Sequence, residues 1–167
     1  MSEIFVYRSS NNVEIKYRLV DKSVWTLAGR RGIMEEDVWG QCRNETGFFE
    51  RMAEIDVEKP SKSLAYCIGG GEPGKSPWLI GVETESDNLD GLDTMIIPET
   101  KYLVFEAHGP MDPNFFNMQN EVYNGYFQDS YRKYDWHDGM RSFEKYCTEN
   151  AHSEDTLIEL WCPVVER

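Results

Sequence analysis

Tyr102-Leu103-Val104-Phe105-Glu106-Ala107, followed past His108-Gly109-Pro110 by Met111-Asp112-Pro113-Asn114-Phe115, is where the fold becomes readable. The first six residues are apolar or aromatic but for one glutamate and end at a glycine-proline turn, the pattern of a strand. Asp112 then supplies a helix cap and Pro113 a first helical residue whose missing N–H costs nothing there. Phe115, Met118, Val122, Tyr123 and Tyr126 recur at spacings of three and four, one apolar helix face. The same order occurs 77 residues upstream. Trp25, Leu27, Gly32, Val38, Trp39 and Phe49 correspond to Tyr102, Val104, Gly109, Phe115, Phe116 and Tyr126.

Around this core each half carries two more strand-like runs: Leu64 to Ile68 and Trp78 to Glu83 in the first, Ser142 to Cys147 and Thr156 to Val165 in the second. The reading is an α+β fold of two βαββ repeats, about 13–85 and 93–167, joined near Ser86 to Asp93 within a single domain spanning 1–167. Units with one apolar face each bury more by pairing across a pseudo-twofold axis. The expected sheet is rich in antiparallel pairs, opens with the alternating Val13-Glu14-Ile15-Lys16-Tyr17-Arg18-Leu19, and carries its helices on one face. The first helix starts at the acidic Glu35-Glu36-Asp37, is weakened at Gly47 and ends before Pro60.

Thirty acidic against 17 basic residues leave a net charge of −13. Such a surface repels a phosphate backbone, so direct DNA binding is not expected; it favours solubility and concentrates cations. Cys42, Cys67, Cys147 and Cys162 are far apart and read as small buried thiols. His108, His137 and His152 share no ligand spacing, and Gly69 to Gly74 with Lys75-Ser76 lacks the spacing of a phosphate loop. No metal and no cofactor are expected. Met1-Ser2-Glu3 does not open a signal sequence, and no run is long enough for a membrane span, which points to a bacterial cytoplasm.

Several strings resemble the GyrI-like or AraC effector-binding superfamily, including its integron-cassette members: Trp78-Leu79-Ile80-Gly81-Val82-Glu83, Ile97-Pro98-Glu99 leading into Tyr102-Leu103-Val104-Phe105, Phe143-Glu144-Lys145-Tyr146, and Ile158-Glu159-Leu160-Trp161-Cys162-Pro163-Val164. The resemblance implies a ligand cleft on the sheet face away from the helices, with an acidic residue of the penultimate strand, here Glu144, anchoring a cationic or amphipathic small molecule. Alternation puts Glu144 and Tyr146 on one face of their strand, and Glu159 and Trp161 on one face of the next. If the two strands pair as a hairpin, these four line up together. Tyr66 is the candidate from the first repeat, since the 77-residue offset takes it to Phe143, one residue from Glu144; Trp39, Trp78, Tyr102 and Phe105 are further aromatic candidates. Against this stand solvated carboxylates on a one-sided sheet and aromatics that serve as core.

Members of the family that regulate transcription carry a separate helix-turn-helix region, for which the early start of the sheet leaves no room here. The resemblance therefore implies a stand-alone effector-binding or drug-sequestering protein whose partners are a small molecule and, in some members, a regulatory protein. An alternative is a hydrolase of small strained electrophiles, with Glu144 as general base and Tyr146 relaying a proton.

Overall fold

Alternation in Ile15-Lys16-Tyr17-Arg18-Leu19 divides one strand between two surroundings, and the computed structural model shows what each is. It describes residues 3–33, 38–58, 65–68, 77–148 and 152–167. The strands are β1 (Ile4–Arg8), β2 (Glu14–Lys22), β3 (Trp25–Ile33), β4 (Ala65–Ile68), β5 (Pro77–Thr84), β6 (Asp93–Ile97), β7 (Thr100–His108), β8 (Tyr134–Trp136), β9 (Phe143–Tyr146) and β10 (Leu157–Glu166). The helices are α1 (Val38–Asn44), α2 (Phe48–Ile55) and α3 (Met111–Asn124). The sheet runs β1-β2-β7-β10-β9-β4-β5-β3-β6, with β8 on the far end of β10. Every pairing is antiparallel.

The centre of that order is a palindrome. β7-β10-β9 is followed by β4-β5-β3, so the strands of the two βαββ units mirror one another about the β9–β4 seam. Each unit is preceded by a leading strand that pairs with the other unit: β2 leads into β3 but pairs with β7, and β6 leads into β7 but pairs with β3. Between β2 and β3 lie six strand spacings, roughly 29 Å if the sheet were flat. Lys22 and Trp25, which end one strand and start the other, are three residues apart and so separated by at most about 11 Å. The sheet must therefore curl until its ends approach.

The helices cover the convex side. Phe115, Met118 and Val122 of α3 pack on Leu103, Phe105, Ile158, Leu160 and Cys162. Cys42 of α1 and Phe48 and Met52 of α2 pack on Ile80 and Val82. On the other side, where none of the described helices packs, Trp25, Leu27, Leu79, Tyr102, Val104, Phe143 and Trp161 form their own cluster. Gly29 and Gly81 face each other between β3 and β5. A Cβ on Gly81 would fall 2.0 Å from the Ala28 carbonyl oxygen, so only glycine allows this approach.

Three expectations change. The sheet opens with β1, before the alternating run; β6 and β8 are additional strands; and the first helix is two helices, broken at Gly47, whose φ of 77° is left-handed. At the second helix Asp112 keeps the extended backbone of a cap residue (φ −102°, ψ 119°) and the regular turns follow it. The readings at Glu35 to Asp37, Pro60, Leu64 and Gly69 to Ser76 lie outside the described residues.

Candidate functional site

Across β9 and its neighbours, Glu144 pairs with Leu160 and Cys67, and Tyr146 with Ile158 and Ala65. Directly paired residues share a sheet face, so Glu144 and Tyr146 belong with Ile158 and Leu160 on the helix-bearing side. This corrects the expectation that places Glu144 away from the helices. Cys67 and Glu144 are themselves 77 residues apart, the repeat offset, so repeat-related positions meet in register and the pseudo-dyad passes between them. Glu144 therefore stands at the seam where the two helical layers part.

The Tyr146 hydroxyl donates a short hydrogen bond to Glu144 Oε2. Trp39 of α1 packs edge-on against Tyr146, ring centres 5.1 Å apart. From α3, Tyr123 comes within 3.2 Å of the Ser142 hydroxyl and packs on Trp136 at 5.7 Å. Burial raises the Glu144 pKa, partly offset by the Tyr146 hydrogen bond, because a desolvated carboxylate prefers its neutral form. Burial, with smaller contributions from Cys162 and then Glu144, pushes Tyr123 up to about 12. Among the described residues Glu144 has no ion pair.

Trp161 and Glu159 lie on the opposite, concave side: Trp161 pairs with Phe143 and Glu159 with Lys145. The expected line of two carboxylates and two aromatics is thus divided between faces, because the β9–β10 register sets Glu144 opposite Leu160. Glu159 is buried, bound by Arg18 at 2.9 Å and by the Trp161 indole N–H at 3.2 Å. It is neutralised within the fold rather than left open to a ligand. Tyr66 holds the register position opposite Lys145, so the one-residue slack that linked it to Glu144 puts it in the other row.

Phe105 is fully buried in the core beside α3, stacked on Tyr17 at 5.2 Å. Tyr102 is fully buried among Phe143 and Trp161. Trp78 is opposite Gly32 in the β5–β3 register. A shallow pocket lined by Met95, Ile97, Met140 and Arg141 sits at the β6 edge, apart from the Glu144 cluster. Among the described residues no group of three histidine, cysteine or acidic side chains is placed to hold a metal, and no helix is long and apolar enough to cross a membrane. Tyr123 and Ser142 were not singled out as site residues by sequence; the helical stripe marks Tyr123 only as core.

A curled antiparallel sheet with paired helical layers and a seam between them defines an effector-binding fold. Residues 26–164 match the family of integron-associated effector binding proteins, and the chain belongs to that family. Its structure is similar to that of SAV2435, solved bound to tetraphenylphosphonium, with a TM-score of 0.73 at 23% identity over 89% of this chain and 93% of that one. It is also similar to a Staphylococcus aureus MU50 protein named for bacterial transcription regulation (TM-score 0.67, 24% identity, 89% and 97% covered). A third is EcmrR, solved in a complex with DNA (TM-score 0.63, 14% identity, 92% and 58% covered). At these identities the likenesses establish the fold. A comparison with curated protein sequences gives no match.

Proposed function

We propose that this chain binds an amphipathic or cationic small molecule between α1 and α3, with Glu144 as its counter-ion and Trp39, Tyr123 and Tyr146 as aromatic walls. The observation that carries the reading is a partly buried carboxylate, without an ion pair among the described residues, at the seam between the two helical layers. A carboxylate there is costly when ionised and empty, and a lipophilic cation relieves that cost while its apolar body covers the rings. Tyr146 holds the carboxylate in one orientation. The phosphonium bound to SAV2435 is a ligand of this kind. The net charge of −13 argues against DNA as a direct partner, so the role is that of a cytoplasmic effector-binding or drug-sequestering protein, acting on transcription only through another regulatory protein.

The test is titration of tryptophan fluorescence with tetraphenylphosphonium and with neutral triphenylphosphine oxide, in the wild type and in Glu144→Gln. Removing one partner of a desolvated charge pair costs about 2–5 kcal/mol, so cation affinity should fall at least about thirtyfold while the neutral compound is indifferent. Equal losses for both compounds, or none, remove Glu144 from the site. Turnover of a strained electrophile that Glu144→Gln abolishes would instead favour the hydrolytic alternative.

A further inference from the structure

On the concave side, away from Glu144, the ammonium of Lys22 occupies a seat built from three strands. Its Nζ lies 4.8 Å from the Trp25 ring centre, 5.9 Å from that of Trp161, and 2.6 Å from Glu83 Oε1. Two indole faces and one carboxylate are the elements with which proteins recognise free alkylammonium ions. A lysine needing only an ion partner has no use for both indoles. The neighbouring cation differs: Arg18 lies 5.8 Å from Trp161 but is tied to Glu159 at 2.9 Å, and Glu159 also accepts from the Trp161 indole N–H, so Arg18 is locked from two directions. Lys22 is the last residue of β2, beside the Ser23-Val24 link, and among the described residues its head has Glu83 as its one ion partner. The side chains of Lys22 and Glu83 each retain 19% exposure, which leaves the seat a path to solvent.

We propose that Trp25, Trp161 and Glu83 form a second binding site, for small alkylammonium ions, and that Lys22 is its tethered occupant, displaced when such an ion binds. This goes beyond the Glu144 reading and stands or falls separately from it. A tethered competitor acts at an effective concentration in the millimolar range. External cations therefore bind the wild type weakly and bind far better once the tether loses its charge. The protein's strongly acidic surface supplies the accompanying enrichment of cations.

The probe is choline, compared with its uncharged carbon isostere, and the readout is tryptophan fluorescence. Lys22→Met keeps the length of the side chain and removes the ammonium; it is expected to lower the apparent Kd for choline at least about tenfold relative to the wild type, as loss of a tethered competitor requires. Glu83→Gln in the Lys22→Met background should abolish the gain, Glu144→Gln in the same background should leave it intact, and the neutral isostere should not saturate. The proposal is overturned if folded Lys22→Met shows no saturable choline binding, if the isostere matches choline, or if Glu144→Gln removes the signal. A wild-type measurement guards against a variant that fails to fold. Choline should accelerate trinitrophenylation of Lys22, read by peptide mass, and the isostere should not; an unchanged Lys22 labelling rate at saturating choline overturns displacement in the native chain.

Discussion

The two halves answer the same design with different amounts of material. In the second, α3 runs for 14 residues and joins a core that extends from Ile15 on β2 to Val164 on β10, with Tyr126 and Tyr134 closing it. In the first, two helices of seven and eight residues, parted at Gly47, cover a cluster that among the described residues comprises Cys42, Phe48, Met52, Ile80 and Val82. The seam between them is just as uneven: the repeat places Cys67 and Glu144 in matching positions, and only one of them brings a carboxylate. One half is the anchor and the other a lighter wall. If the proposed site is right, a symmetric scaffold carries a site with a single charge and two unlike sides.

The strongest break of this comparison would strike what the halves share, the curl. Gly81→Ala puts a methyl group against the Ala28 carbonyl, backbone on backbone with no flexible side chain to yield. The expected loss is about 4 kcal/mol or more, or failure to fold, read by urea denaturation. A loss under about 1 kcal/mol would mean that β3 and β5 separate easily and the curl is soft. Next come matched truncations. Phe115→Ala in the large core should cost about 5 kcal/mol and Phe48→Ala in the small one about 3 kcal/mol, since both rings are buried but the smaller cluster collapses more readily around a void. Equal losses would erase the distinction between anchor and wall.

The smallest effect sharpens the difference at the seam. Burial raises the Glu144 pKa, so the folded state holds this proton more tightly than the unfolded chain does. The resulting stabilisation is present below the unfolded pKa and is lost as pH rises through the folded one. Ligand-free Glu144→Gln should accordingly be more stable than the wild type at pH 7, with the gap narrowing as the solution is acidified. Cation affinity in the wild type should decline on the same acidification, because the neutral carboxyl no longer attracts the ligand. Thermal melts across pH, with and without tetraphenylphosphonium, check both; a gap that widens in acid would reverse the assigned sign.

Much of the fold was legible because strand and helix periods act locally. The Phe115 to Tyr126 stripe marked its buried face correctly, and alternation divided Ile158, Leu160 and Cys162 from Glu159 and Trp161 as the structure does. Alternation fixes faces only within a strand. Whether Glu144 stands beside Glu159 or beside Leu160 depends on a register set by the β9–β10 connection, and shifting it by one residue exchanges the faces. Tyr66 fell to the same parity, one residue from the position that pairs with Glu144. Lys22 carried no signal at all, since nothing in a linear pattern announces that the sheet will bring Glu83, Trp25 and Trp161 around it.

The exchange of leading strands makes the two repeats less like neighbours than like clasped hands. A cut in the 85–92 joint would leave β2 without the β7 edge it completes and β6 without the edge of β3. Each fragment would carry the missing finger of the other and expose a row of unsatisfied backbone groups until they met again. The seam is therefore set in a frame whose two sides hold each other closed.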